Sequence, residues 1–499
     1  MDEIKDLIKI ITDHTKKNLP LLDLKSQHQN GNKEMNLFLG IKNGEFNDDV
    51  DASHGIYGTE EVDFKFRMLK SRLNRKLLNH LFFMDFSSMS FGKSINIYQE
   101  ALDYLHFSRM LLNINETRLG TKMLYKTLDL AKESEYTVIA IDCLRELREV
   151  YAKTYRPKLF QNIKVQLNEL EALERLEEQA DGIFQENRLT INSTVNNRKK
   201  YFEPYKDAIK ELETLARKTK SYNIFEKYFK LKVWYYELTG DFENVLKLIY
   251  EVERDYQNGK INQKRFDKLF ANFSKGNALI KLRKFKEGSI FLEQMLNEID
   301  NTSKDWFSFA EKYVILHIQN KKFTKASEIF IRVASNKSFG DLEEKELMKW
   351  NIFRSYLYYL TGDKKIIKKF NYEIFIEETP EFSKEHAGYN VAILILQIMN
   401  LADGELSGLH VKLKALDEYI IKYLNNSYSK RTKTFGKLLH KIAIHNRDYD
   451  TIVLKSKYLQ DKLLESEVAG ESFVDFEVVP YEFLWENLLV GIKKFKGSN

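Results

Sequence analysis

Histidine is the first residue type to consider for chemistry, because neutral imidazole is the commonest metal ligand in proteins. The chain contains 10 histidines, of which only His440 and His445 lie close together in the sequence. Five residues along a helix rotate a side chain by about 140°, so these two rings point to different faces and do not share a metal ion. A His-Glu-x-x-His motif does not occur. We therefore expect no metal site.

Nucleotide chemistry would need a glycine-rich loop, and Gly92-Lys93-Ser94 matches the end of such a loop. A phosphate-binding loop also needs a glycine five positions earlier, so that backbone amides can wrap the phosphates, but that position holds Ser87. The loop follows a strand in proteins that use it, whereas the surrounding sequence here is helical. We expect no nucleotide and no other cofactor.

Covalent chemistry has one sulfur candidate, because Cys143 is the only cysteine. It lies in an apolar-rich helical stretch beside Ile141 and Leu144, which favours a buried, inert thiol. Carboxylates are so abundant that close pairs must arise by chance, and a glycosidase-type acid pair cannot be inferred from them. The sequence offers no catalytic residue, and we expect a protein that is not an enzyme.

A basic helix is the clearest binding signal in the chain. The pattern predicts a helix from about 60 to 84, and its apolar stripe consists of Val62, Phe66, Leu69, Leu73 and Leu77. The cations that could contact nucleic acid are Lys65, Arg72, Arg75 and Lys76. Lys65, Arg72 and Lys76 share a face opposite the leucine stripe.

The run from Val62 to Leu77 resembles the recognition helix of bacterial winged-helix regulators, in which Val-Asp precedes a basic Leu-x-x-Arg-Leu-x-x-Lys-Leu tract. The resemblance implies that helices at 33–43 and 49–57 support the basic helix and that this head binds DNA. After the helix the sequence departs from those regulators, because Leu81 to Phe86 stand where a glycine-rich wing is expected. A solvated cationic face, or RNA binding, is the alternative.

Length and composition favour several helical domains or one extended helical array. At 499 residues the chain exceeds what one hydrophobic core organises. Its 43% hydrophobic residues exclude general disorder, and only 5 prolines and 21 glycines leave too few turn signals for an all-β protein. The net charge of +6 neither demands nor excludes a nucleic-acid partner. We expect an all-α fold.

The first residues carry no sign of export. Met1 is followed by Asp2 and Glu3, where a signal peptide carries positive charge. No apolar run approaches the roughly 20 residues of a membrane-spanning helix. We expect a cytoplasmic protein that does not associate with a membrane.

Helical periodicity and turn signals divide the chain into four regions. These are a helical domain over 1–92, long helical hairpins over 93–220, repeats over 221–470, and a capping segment with a last helix over 471–499. The hairpins include a long helix over 157–187 that begins at Pro157. Its heptad-like spacing leaves two interpretations, a helix packed within the chain and a dimeric coiled coil.

One device occurs three times between residues 222 and 335: a helix ends in a tight turn and the next helix begins with an aromatic residue. The segments run from Trp234 to Phe242, from Gly276 to Phe285 and from His317 to Phe323. The residues three positions after each aromatic are Val245, Gly288 and Ala326. They are small enough to let two helices approach closely.

These segments resemble the tetratricopeptide repeat, whose units stack into an α-solenoid of antiparallel helix pairs. Gly276 matches the small residue of that family's first helix, and Gly240-Asp241-Phe242 matches its turn. The spacing departs from the family's period of about 34 residues, because the aromatics at 242, 285 and 323 are 43 and 38 residues apart. The closing proline of the family is also absent.

In that family the first helix of each unit lines a groove that binds peptides or proteins. The resemblance implies a groove lined by Lys227, Lys230, Trp234, Glu237, Asn277, Lys281, Glu311 and Gln319. An aromatic beside Lys and Glu is the composition of a binding surface, although Trp234 as a core residue is the alternative interpretation. We expect a non-enzymatic intracellular adaptor or scaffold with a protein or peptide partner. The second hypothesis is a DNA-binding regulator in which the repeats form the sensor.

Overall fold

The computed structural model describes residues 2–14, 32–81, 93–191, 202–380, 389–403, 408–423, 430–466 and 477–496. Within these ranges the protein is all-α, with 22 α-helices, one short 3-10 helix and no strand. The fold class expected from helical periodicity is therefore confirmed. The chain forms two compact units, Met1–Glu116 and Thr117–Asn499. No helix in the described ranges is both long and apolar enough to cross a membrane.

The first unit contains α1 (Asp2–His14), α2 (Lys33–Lys42), α3 (Asp49–Tyr57), α4 (Phe64–His80) and α5 (Lys93–Asn113). Helices α1, α2 and α4 pack against one another, and the predicted apolar stripe from Phe66 to Leu77 is buried between them. Helix α4 begins at Phe64 rather than near residue 60, because Asp63 caps it: its Oδ1 accepts the backbone N–H of Phe66 at 2.8 Å. Residues 82–92, which include most of the expected wing position and the candidate loop glycine Gly92, lie outside the described residues.

The turn between α2 and α3 places Phe46 between two glycines. A Cβ atom at Gly40 would lie 2.2 Å from the Phe46 ring, and one at Gly55 would lie 2.5 Å from it. A larger residue at either position would displace the ring. Phe46 therefore fixes α2 relative to α3.

The second unit begins with α6 (Thr117–Glu133), α7 (Thr137–Lys153), α8 (Pro157–Ile191), α9 (Phe202–Thr219), α10 (Tyr222–Thr239) and α11 (Phe242–Gln257). It continues with α12 (Lys268–Lys281), α13 (Phe285–Glu298), α14 (Lys304–Gln319), α15 (Phe323–Ala334), a 3-10 helix (Lys337–Asp341) and α16 (Glu344–Thr361). The last helices are α17 (Tyr372–Glu378), α18 (Asn390–Asp403), α19 (Leu409–Tyr423), α20 (Lys430–Ile444), α21 (Tyr449–Glu465) and α22 (Tyr481–Lys496).

Helices that are consecutive in the sequence pack together through most of this unit. The long helix α8 packs against α7, α9 and α10, which favours the interpretation of a helix packed within the chain. Further contacts skip at least one helix: α12 packs against α14, α18 packs against α16 and α20, and α22 packs against α18 and α20 as well as α21. The last helix, α22, therefore packs against α18 as well as against the final helix pair, α20 and α21. Cys143 on α7 is buried, as expected.

Three turns share one backbone geometry at the segments where the sequence repeats. Gly240, Arg283 and Lys321 adopt left-handed backbone conformations, with φ of 78°, 55° and 56°. The N–H of the next residue then donates to a carbonyl five residues back: Asp241 to Tyr236 at 2.8 Å, Lys284 to Leu279 at 2.9 Å and Lys322 to His317 at 2.9 Å. The following helix begins at the aromatic residue in each case. The repeated sequence pattern thus corresponds to one kind of helix C-terminus, with a left-handed residue followed by a bond to a carbonyl five residues back.

Gly288 lies where helices approach closely, as its small size predicts. A Cβ atom on Gly288 of α13 would lie 2.6 Å from Leu316 Cδ1 of α14 and 3.4 Å from Leu279 Cβ of α12. Ala326 of α15 is fully buried. A larger residue at Gly288 would displace the Leu316 side chain, so the packing of α13 against α14 depends on this glycine.

Candidate functional site

The eight residues predicted to line a groove lie on three helices of the second unit. Lys227, Lys230, Trp234 and Glu237 belong to α10, Asn277 and Lys281 to α12, and Glu311 and Gln319 to α14. Each of the eight is half-buried. We call the surface that carries them the α10–α12–α14 face.

On α10 this face is held by contacts with α8 and α12. The Nζ atom of Lys227 lies 3.2 Å from Asp181 Oδ1 of α8. The ring of Trp234 stacks on Phe184 of α8 at a centroid distance of 5.4 Å and meets Phe270 of α12 edge-on at 6.2 Å. Trp234 therefore joins α8 to α12, which agrees with the interpretation of this residue as part of the core.

Lys230 is neutralised within the chain. Its Nζ atom lies 2.8 Å from Glu226 Oε1 and 3.3 Å from Asp267 Oδ2. Burial by itself would lower the pKa of Lys230, but the two carboxylates hold that pKa above its usual value. Lys230 thus remains a cation whose charge is matched by its own chain.

On α12 the face contains an aromatic residue that the sequence analysis missed. Phe273 keeps 36% of its surface exposed, and it lies one helical turn before Asn277 and two turns before Lys281. Its ring packs edge-on against Phe309 of α14, with the centroids 5.8 Å apart. The ammonium of Lys312 lies 5.2 Å from the Phe273 centroid. The available signal was the spacing of four residues from Asn277, which puts Phe273 on the same stripe.

On α14 the face continues into an ion-pair cluster with α16. Lys349 Nζ lies 2.6 Å from Glu311 Oε2 and 2.6 Å from Glu346 Oε2. Burial would lower the pKa of Lys349, but the two carboxylates raise it above its usual value. The charge of Glu311 is therefore paired with Lys349. Gln319 is the last residue of α14, so the face ends there.

The cations of the basic helix α4 fall into two groups. Three are paired with acids of α2 or α3: Lys70 with Asp49 at 2.7 Å, Arg72 with Glu34 at 3.4 Å, and Lys76 with Glu34. Three others, Lys65, Arg67 and Arg75, are exposed and form no ion pair within the described residues. Helix α4 contains no acidic residue of its own. Of the four cations predicted to contact nucleic acid, Lys65 and Arg75 face solvent, whereas Arg72 and Lys76 contact Glu34.

His440 lies on α20, and His445 directly follows that helix. His440 Nε2 lies 2.8 Å from Asp417 Oδ2 on α19, and the described ranges contain no group of three or more His, Cys, Asp or Glu side chains placed to hold a metal ion. Comparison of the chain with protein-family models, curated proteins and solved structures gives no match.

Proposed function

We propose that this chain is a cytoplasmic, non-enzymatic adaptor that binds a protein or peptide partner on the α10–α12–α14 face. Its repeats would form an α-solenoid of antiparallel helix pairs similar to tetratricopeptide repeats. The three turns with one geometry and the close contact of Gly288 with Leu316 support this architecture. Stacked helix pairs bury a continuous core and leave an extended surface for a partner.

The observation that carries the proposal is the exposure of Phe273. Most charges around it are matched within the chain, since Lys230 pairs with Asp267 and Glu311 pairs with Lys349. Phe273 itself remains 36% exposed beside the ammonium of Lys312. An exposed ring surrounded by satisfied polar groups is the usual composition of a binding hot spot, because its desolvation by a partner supplies most of the affinity.

The test compares two variants in affinity capture from nuclease-treated cell extracts. Phe273→Ala should reduce the recovery of the partner about tenfold or more, since truncation of a hot-spot residue costs roughly 2 kcal/mol or more of binding free energy. Ile290→Ala is the matched control, because Ile290 is an apolar residue with 64% exposure on the adjacent helix α13. Equal recovery with both variants would place the partner elsewhere.

We propose DNA binding by α4 as a second candidate function, in which the first unit is the DNA-binding head and the second unit the sensor. The observation that favours it is the group formed by Lys65, Arg67 and Arg75, exposed cations without an acidic neighbour on their own helix. Phosphate contacts from such cations supply the sequence-independent part of DNA affinity. Glu34 would then serve to orient Arg72 and Lys76 at the edge of the same surface.

A further inference from the structure

Arg354 on α16 is a buried cation enclosed by aromatic rings. Only 9% of its surface is exposed. Its guanidinium carbon lies 4.6 Å from the centroid of Phe370, which follows α16, and 5.2 Å from the centroid of Phe330 on α15. Both rings stabilise the cation through their electron-rich faces, but neither supplies a negative charge.

No acid or hydrogen-bond acceptor in the described part of the chain pairs with this guanidinium. Its Nε atom is buried without a hydrogen-bond partner. The two terminal nitrogens of Arg354 are not buried in this way, so they are the atoms of the guanidinium that solvent reaches. Burial lowers the pKa of Arg354, but a guanidinium remains protonated at neutral pH. A buried charge without a counter-ion is costly, and an anion bound from solvent would offset that cost.

The other deeply buried arginine of the second unit makes the contrast clear. Arg431 is 5% exposed, and its guanidinium lies 2.8 Å from Glu477 and also contacts Glu482. At Arg431 the protein therefore supplies carboxylates to a buried arginine. Arg354 has the burial of such a residue without its counter-ions.

The segment that brings Phe370 over Arg354 is strongly basic. Between α16 and α17 it carries four exposed lysines, Lys364, Lys365, Lys368 and Lys369, none of which forms an ion pair within the described residues. Lys368 and Lys369 directly precede Phe370, whose ring lies over the Arg354 guanidinium. The segment that supplies this ring is thus rich in exposed cations.

We propose that Arg354 and the lysines of residues 364–369 form a binding site for a phosphate group. A planar guanidinium offers two parallel N–H groups to phosphate oxygens, and a dianion matches several neighbouring cations better than a single carboxylate does. Phe330 and Phe370 hold the guanidinium in one plane and so pre-organise it. The phosphate is either free or carried on a phosphorylated side chain, and both sources share this recognition chemistry.

Thermal unfolding of the full chain tests the site, with inorganic phosphate, O-phosphoserine, acetate or chloride at equal ionic strength. Phosphate and O-phosphoserine at about 10 mM should raise the unfolding midpoint by roughly 1 °C or more, because a ligand that binds only the folded state stabilises it. Acetate and chloride should not. Tighter binding of O-phosphoserine than of inorganic phosphate by calorimetric titration identifies a phosphorylated side chain as the source, and the reverse order identifies the free anion.

Two variants separate binding from folding. Arg354→Met should abolish the effect of phosphate while leaving the midpoint in chloride unchanged or higher, because an unpaired buried charge is removed. The double variant Lys368→Ala/Lys369→Ala changes only exposed residues and should weaken phosphate binding about tenfold. The control is Arg332→Met on α15, which removes an exposed arginine that lies over the ring of Trp306 at 5.6 Å; it should respond to phosphate like the wild type.

Any of three results would overturn the site: no response of the wild type to either phosphate compound, a response retained by Arg354→Met, or a response lost to the same extent by Arg332→Met. A lower midpoint for Arg354→Met in a protein that ignores phosphate would make the residue a structural contact between α15 and α16.

Discussion

Arg431 and Glu477 form a two-point ion pair, in which Nε lies 3.0 Å from Oε2 and Nη2 lies 2.8 Å from Oε1. The same guanidinium donates to the carbonyl oxygen of Leu463 at 2.8 Å and contacts Glu482 at the start of α22. Arg431 belongs to α20 and Leu463 to α21. One buried side chain therefore ties α20 and α21 to the segment that leads into the last helix.

Replacement of Arg431 by Met should destabilise the second unit strongly. It leaves Glu477 and Glu482 without their counter-ion, and breaking a buried ion pair from one side costs about 3–5 kcal/mol. The measurement is the free energy of unfolding from urea titration. The control is Arg217→Met, which removes a surface ion pair with Glu213 and should cost less than about 1 kcal/mol. A similar loss in both variants would contradict the role assigned to Arg431.

The buried histidine on α14 should make stability depend on pH. His317 is 4% exposed, and burial, followed by Lys322 and Lys325, lowers its pKa from 6.5 to about 4. Between pH 6.5 and 4 the unfolded chain binds a proton that the folded chain does not. The contribution of His317 to the free energy of unfolding is therefore fully present above pH 6.5. It is lost as the pH falls toward 4, and the loss is about 3 kcal/mol at most.

The measurement for this prediction is the free energy of unfolding of two variants at pH 7 and at pH 4.5. His317→Leu should show a smaller decrease between the two pH values than the wild type. His410→Leu, which changes an exposed histidine on α19, should keep the wild-type decrease. Parallel pH profiles for all three proteins would show that His317 does not contribute.

Close helix packing at Ala326 should not tolerate a larger residue. Ala326→Leu inserts a branched side chain into a fully buried position of α15 and should cost roughly 1–3 kcal/mol of unfolding free energy. The control is Thr324→Leu, at an exposed position of the same helix. The measurement is the free energy of unfolding of both variants from urea titration. Equal values for the two variants would mean that α15 is not packed as described.

Charge reversal on α4 tests the second candidate function. The double variant Arg67→Glu/Arg75→Glu should weaken binding to duplex DNA and reduce the slope of log affinity against log salt by about 2, since each lost phosphate contact changes it by about 0.9. Lys42→Glu, at an exposed position of α2, is the control for a charge reversal outside α4. Fluorescence anisotropy over a salt series provides the measurement. If the wild-type protein shows no salt-dependent binding to duplex DNA, α4 does not bind DNA.

Helix positions followed from the sequence because their signals are local. The predicted helix over 49–57 corresponds to α3, Asp49–Tyr57, which Asp48 caps at one end and Gly58 ends in a left-handed conformation at the other. The turn at Gly240 was predicted from the same kind of evidence. Capping and periodicity involve residues within a few positions of each other, so no knowledge of the fold is needed.

Contacts between helices did not follow from the sequence. Lys227 meets Asp181, and Glu311 meets Lys349, because of the angles at which their helices cross. A residue spacing on one helix does not contain that angle. The sequence does not distinguish Arg354 from the other cations of the chain, and only packing reveals that rings enclose it.

The most direct test of the adaptor proposal is site-specific photo-crosslinking in cells. A photoreactive amino acid at Asn277 or Gln319 samples the α10–α12–α14 face, and one at Glu293, exposed on α13, samples a different surface. We expect one protein partner to crosslink to positions 277 and 319 but not to 293. Nuclease treatment should not change this pattern, and Phe273→Ala should abolish it. Crosslinks of equal yield from all three positions, or from none, would contradict partner binding on the α10–α12–α14 face.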